Sequence, residues 1–221
     1  MKQVAPAPLP ECNWTGFYIG LNVGGQFGHS ETKDIEFNYF DRPWGYSESG
    51  VVAGGQVGYN YQWNWLVLGV EIDGGYMNLE GRGAEPGFDP DAFGESDSDF
   101  YTTFRGRLGI ARHNWLFYAT GGGIGVNYKT RFIEDVATAP NDFGLIDAHK
   151  QEFNWGYTVG GGLEYMFGCH WSIKAEYLYF ALDRQQFSGI NTGNVRDFGN
   201  THPFNGDTAG HIVRAGLNYK F

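Results

Sequence analysis

The strongest constraint on this chain is an alternation of apolar with small or polar residues, at a period of two, that recurs eight times along it. A period of two puts alternate side chains on opposite faces of a strand. The first run sets Phe17, Ile19, Leu21 and Val23 against Gly16, Tyr18, Gly20, Asn22 and Gly24. The second sets Val51, Ala53, Val57, Tyr59 and Tyr61 against Gln56, Gly58 and Asn60, and the third Leu66, Leu68, Val70, Ile72 and Tyr76 against Gly69, Glu71 and Asp73. In the fourth, Phe104, Leu108 and Ile110 oppose Thr103, Arg105, Arg107 and Gly109. The fifth alternates Leu116, Tyr118, Ile124 and Val126 with Ala119, Gly121, Gly123, Asn127 and Lys129. The sixth opposes Phe153, Trp155, Tyr157, Val159, Leu163, Tyr165 and Phe167 to Glu152, Asn154, Gly156, Thr158, Gly160, Gly162 and Glu164. The last two set Ile173, Ala175, Tyr177 and Tyr179 against Lys174 and Glu176, then Val213, Ala215, Leu217, Tyr219 and Phe221 against Ile212, Arg214, Gly216, Asn218 and Lys220. Each run has roughly the ten residues a tilted strand needs to cross a bilayer.

Composition narrows the classes. No apolar run reaches the ~18 residues of a membrane-spanning helix, and mean hydropathy is −0.38. With 35 Gly and 18% aromatic residues but only 8 Pro, the chain is neither disordered nor collagen-like. Soluble all-β folds and transmembrane barrels remain, the latter because alternating strands vanish from hydropathy averages. A net charge of −10 argues against a nucleic-acid partner, which needs a basic face.

The connections separate the two. Tight turns fall at Trp63-Asn64, His113-Asn114 and Gly168-Cys169-His170, while long polar segments occupy roughly 28–50, 80–99, 130–150 and 183–208. Alternating short and long connections are what a membrane barrel shows, with short periplasmic turns and long external loops. The four long segments hold 19 acidic and 7 basic residues. Eleven of the remaining charges (Glu71, Asp73, Glu152, Glu164, Glu176, Arg105, Arg107, Lys129, Lys174, Arg214 and Lys220) fall on the polar faces.

A soluble, lipocalin-like barrel would turn the apolar face inward. Against that, the apolar face carries the large aromatics and the polar face is rich in Gly, which suits the narrow interior of an eight-stranded barrel. Trp14, Trp65, Trp115 and Trp171 all lie beside short turns, where an interfacial aromatic girdle belongs. The expected fold is therefore all-β: an eight-stranded antiparallel up-and-down transmembrane β-barrel over 13–221, preceded by a Pro-rich tail at 1–12. Its lipid-facing wall is apolar, and its lumen charges pair because unpaired buried charges cost several kcal/mol each.

Asn13-Trp14-Thr15-Gly16-Phe17-Tyr18-Ile19-Gly20 and the closing Val213-Arg214-Ala215-Gly216-Leu217-Asn218-Tyr219-Lys220-Phe221 resemble the first and last strands of the small porin-like, opacity-protein-like outer-membrane barrels of alphaproteobacteria. Gly55-Gln56-Val57-Gly58-Tyr59-Asn60 and Glu176-Tyr177-Leu178-Tyr179 are also similar. The resemblance implies residence in a bacterial outer membrane, the signal peptide having been removed. It also implies contact with outer-membrane lipid and lipopolysaccharide, and a C-terminal signal at Tyr219 and Phe221 read by the outer-membrane assembly machinery. A non-enzymatic role in envelope integrity or surface contact follows from it, through external loops or the N-terminal tail. A small diffusion channel is the alternative, and an envelope enzyme the outsider.

Other candidate sites are thin. Asp89, Asp91, Asp97 and Asp99 crowd one loop as metal candidates, but the EF-hand pattern that Asp89-x-Asp91 and Gly94 begin fails at Phe93 and Phe100. The six His make no close metal pair, and His29-Ser30 lacks the context of a nucleophile. Gly121–Gly125 and Gly160–Gly162 lie inside strand patterns with no helix behind them, so no nucleotide loop forms; no cofactor is expected. Strand parity puts Cys12 and Cys169 on the same, periplasmic rim. That compartment is oxidising, and a bond between them would close a 157-residue loop, worth roughly 4–5 kcal/mol of chain entropy. Two unpaired thiols are the alternative.

Overall fold

A computed structural model of the chain describes residues 12–34, 44–78, 81–84, 92–134, 147–183, 185–190 and 201–221. It contains β1 (Gly16–Asp34), β2 (Trp44–Trp63), β3 (Leu66–Met77), β4 (Gly81–Ala84), β5 (Ala92–Arg112), β6 (Trp115–Glu134), β7 (Asp147–Phe167), β8 (Trp171–Leu182), β9 (Gln185–Ile190) and β10 (Thr201–Lys220). Every pairing is antiparallel, in the order β1-β2-β3-β5-β6-β7-β8-β10. The short strands β4 and β9 pair with β5 and β10 beyond the ends of β3 and β8. β1 then pairs with β10 from Tyr18↔Lys220 to Asp34↔Phe204, which closes eight staves into a barrel with no free edge. Closure satisfies every strand backbone group within the protein, as lipid requires.

The three tight turns form where expected, with left-handed backbone at Asn64, His113, Gly168 and Cys169. The long connections differ from expectation. β1 runs on to Asp34 and β2 begins at Trp44, while β5, β6, β7 and β10 likewise enter segments that polar composition marks as loops. A strand leaving the bilayer no longer has an apolar face to advertise, yet its backbone still pairs with its neighbour.

The faces divide as alternation demands on seven runs. Phe17, Ile19, Leu21, Val57, Leu68, Phe104, Leu108, Trp155, Ile173 and Leu217 all point outward, while Tyr18, Gln56, Glu71, Arg105, Glu164, Lys174 and Arg214 are buried inside. The fifth run is reversed: Leu116, Tyr118, Ile124 and Val126 face the lumen, and Phe117 faces out. That stave carries apolar residues at both parities, so only its register against β5 and β7 decides which set is inside.

Trp14 also departs from the expected girdle. It is 3% exposed and packs with Val67, Leu116, Tyr118 and Met166 in the mouth at the short-turn end. Trp65, Trp115 and Trp171 do stand on the outer surface. Toward the long-loop end the lumen holds a second apolar layer, built around Met77, Tyr101, Ile124, Leu178, Phe180 and Ile212. The interior is therefore stacked in three tiers: apolar, ionic, apolar.

Candidate functional site: a buried ionic core

The middle tier is built by inward positions of β3, β5, β7, β8 and β10. Arg105 is its hub. One guanidinium nitrogen, Nη2, donates to Glu71 Oε1 and Asp73 Oδ2, each at 2.5 Å; Nη1 donates to Glu176 Oε1 at 3.1 Å, and Nε to Thr103 Oγ1 at 3.0 Å. Arg214 reaches from β10 to grip both Asp73 oxygens, at 3.0 and 2.9 Å, and donates through Nε to Glu176 Oε2 at 2.7 Å. Lys174 Nζ donates to both Glu71 oxygens at 3.0 and 3.1 Å.

Arg107 forms a second centre nearer the short turns. It donates to Glu164 Oε2 at 2.8 Å and to the Tyr18 hydroxyl at 2.7 Å, and lies 3.9 Å over the Tyr118 ring. Glu164 also accepts from Ser172 Oγ and Asn218 Nδ2, and an amide relay continues through Gln56 to Asn22. Tyr18 and Tyr118 donate to Glu71 and Glu176. Room for these rings comes from glycine: a methyl at Gly58 would collide with the Tyr18 ring and hydroxyl, and one at Gly162 with those of Tyr118.

Among the described residues the tier counts four cations (Arg105, Arg107, Lys174, Arg214) and four anions (Glu71, Asp73, Glu164, Glu176). It is electrically neutral, and all eight are buried. Of the other three charges read into the lumen, Lys220 sits at the rim and donates to the Asn13 carbonyl at 2.6 Å. The side chains of Lys129 and Glu152 lie outside the described residues.

Cys12 and Cys169 form a disulfide with a Cα–Cα distance of 4.9 Å. It ties the segment preceding β1 across the short-turn opening. Trp14 N donates to Gln62 Oε1 at 2.8 Å and Gln62 N to Thr15 Oγ1 at 3.0 Å, which seats the segment in the mouth. Tyr219 and Phe221 stack edge-on at the end of β10, and Phe221 N donates to the Phe17 carbonyl.

Among the described residues no group of three His, Cys, Asp or Glu is placed to hold a metal ion. Asp89 and Asp91 lie outside the described residues, as does the Asp97 side chain; Asp99 sits at an irregularity of the β5–β6 register between Ser98 and Phe100. His29 is exposed on β1, and the side chain of Ser30 lies outside the described residues. The two glycine runs lie within the paired strands β6 and β7, Gly121–Gly125 opposite Val159–Trp155 and Gly160–Gly162 opposite Thr120–Tyr118.

Eight staves closed around a neutral ionic core, with an outer wall made mainly of apolar and aromatic side chains, define a transmembrane β-barrel of the outer-membrane type. The family described as outer membrane protein beta-barrel domain matches residues 4–221, and the chain belongs to it. It is 31% identical to the 31 kDa outer-membrane immunogenic protein of Brucella melitensis, over 97% of this chain and 87% of that protein. It is 30% identical to a 22 kDa outer membrane protein of Rhizobium leguminosarum, over 88% and 80% of the respective chains. Among solved structures, the outer membrane protein OprG of Pseudomonas aeruginosa matches with a TM-score of 0.57 at 15% identity, covering 96% of this chain and 98% of that one, which is a likeness of fold. The protein is thus an outer-membrane barrel, its short turns on the periplasmic side by the rule for such proteins.

Proposed function

We propose that this barrel is a non-conducting, non-enzymatic component of the envelope, which stiffens the outer membrane and presents its acidic loops as a contact surface. The observation that carries this reading is the three-tier lumen. Water and ions would have to cross two dry layers and a core in which every one of the eight charges is held by an opposite one. An eight-stranded barrel has an interior only wide enough for its own side chains, and prising a paired charge from such a core costs several kcal/mol. The hydroxyls and carboxylates of the ionic tier are committed to each other and to its cations, so it offers no unengaged base to activate a nucleophile.

Other proposed contacts follow from placement. The outward aromatic pair Tyr219 and Phe221 is available to the assembly machinery before the β1–β10 seam closes. The acidic external segments suit cationic or protein partners and repel polyanions, most strongly at low salt. Planar-bilayer recording of the purified chain tests the main reading. Silent membranes are expected; reproducible conductance steps from folded, disulfide-bonded protein would overturn it in favour of a small diffusion channel.

A further inference from the structure

We propose that His29 and His211, neighbours on the outer wall where the barrel closes, form a two-histidine site for a divalent transition-metal ion, with Cu2+ held most tightly. Along the chain the two stand near opposite ends. Pairing of the first stave with the last brings them together.

Register places them. His29 on β1 pairs with Ala209, and His211 on β10 pairs with Phe27, so the two histidines are diagonal neighbours on one face of an antiparallel pair. Both are exposed. Diagonal neighbours stand about 7–8 Å apart, within reach of ring side chains. The contact between His211 and Tyr177, on the other flank of β10, is itself a diagonal of this kind. An ion bonded at about 2 Å by each imidazole nitrogen fits between two rings at that spacing.

The space between the two is open. Phe27 is the large side chain that register sets beside His211 on β1, and its ring lies over Gly25, where an added methyl would meet it at 3.9 and 4.0 Å. Gly25 is on the short-turn side of Phe27 and His29 on the other, so the ring is folded away from the site. The register partners of His29 are Ala209 on β10 and Ser47 on β2, both too small to screen it.

His211 is also oriented as a ligand. Its ring stacks on Tyr177, centroids 5.8 Å apart at 24°, with Tyr179 at 5.4 Å. The Tyr177 hydroxyl lies 2.7 Å from Nδ1. With an ion on Nε2, Nδ1 carries the ring proton and donates to the phenol oxygen, the outer hydrogen bond that metal-bound histidines ordinarily make. The ring is thus steadied at one nitrogen and offers the other.

Ligand chemistry sets the class of ion. Neutral imidazoles suit Cu2+, Zn2+ and Ni2+, with Cu2+ at the top of the affinity order, whereas Ca2+ and Mg2+ require oxygen ligands. Among the described residues no third His, Cys, Asp or Glu completes the set, so the remaining positions on the ion are open to water or other small oxygen donors.

Titration of the tag-free full chain with Cu2+ in detergent, read by electron paramagnetic resonance, tests this. The wild type is expected to bind one ion with the splitting of two imidazole nitrogens. His29→Ala and His211→Ala should each leave one-nitrogen splitting and weaken binding by about a hundred-fold or more, since losing a ligand exceeds the ~10–100-fold cost of losing a partner behind one. Tyr177→Phe should keep the two-nitrogen spectrum and weaken binding by about ten-fold. A variant with His113, His149, His170 and His202 all replaced by Ala should match the wild type. A gel shift of the unheated barrel confirms folding of each variant. Folded wild type that takes up no Cu2+ overturns the proposal. So does a two-nitrogen spectrum that survives His29→Ala or His211→Ala, or one that disappears in the four-histidine variant, which would mark adventitious binding elsewhere.

Discussion

Removing the charge of Arg105 should destabilise the barrel by a predictable and pH-dependent amount. In Arg105→Met the side-chain volume is largely kept, but Glu71, Asp73 and Glu176 lose their shared donor and the core goes from neutral to one excess negative charge. Leaving a buried charge unpaired costs about 3–5 kcal/mol. An independent bound agrees: the core regains neutrality if one carboxylate takes up a proton, which costs about 1.4 kcal/mol per pH unit above an ordinary carboxylate value near 4, or about 4 kcal/mol at pH 7. The sign follows by linkage. Over that range the folded variant holds one proton more than its unfolded chain, so its stability falls as pH rises and recovers toward wild type as pH drops to about 5. Adding Glu71→Gln restores neutrality at three against three, and the double variant should recover most of the loss, with a coupling of at least about 2 kcal/mol. Urea unfolding in phospholipid vesicles, followed by tryptophan fluorescence, measures all four corners. A loss under about 1 kcal/mol, a loss that does not change between pH 5 and 7, or a double variant no better than the singles would refute the reasoning.

Protein from native membranes should carry no alkylatable thiol and weigh two daltons less than the dithiol form; reduction should lower the unfolding midpoint, since the bond closes a 157-residue loop worth about 5 kcal/mol in the chain-entropy model. Trp14→Ala should cost about 3–5 kcal/mol, since Trp14 fills the dry periplasmic mouth, and should make the remaining tryptophans easier to quench from that side. Gly58→Leu should fold poorly or lower stability by about 1–3 kcal/mol through overpacking, because its side chain meets the Tyr18 ring; Gly58→Leu with Tyr18→Ala should fold better than Gly58→Leu alone.

The outer wall and the ionic residues were legible in the sequence because strand alternation is a local property. A residue such as Leu108 or Arg107 declares its face through its immediate neighbours, and each of the eight core charges sits beside at least one large apolar residue that points the other way. Alternation was mute where both parities are apolar, which is why Leu116, Tyr118, Ile124 and Val126 read as lipid-facing and stand inside. It was equally mute for Trp14, a girdle residue by type and position that becomes a plug because the disulfide and Gln62 draw its segment into the mouth.

Partnership within the core belongs mostly to the tertiary structure. Arg105 and Glu71 are cross-strand neighbours on β5 and β3, a pairing that hairpin register nearly specifies. Arg214 and Asp73 lie 141 residues apart and meet only because the sheet closes on itself and brings β10 within reach of β3. The same closure stacks Ile212, Leu178 and Ile124 into a dry upper tier and sets His29 diagonal to His211 on the outer wall. Period two determined which way each side chain points; the radius and register of the closed barrel decided what it meets there.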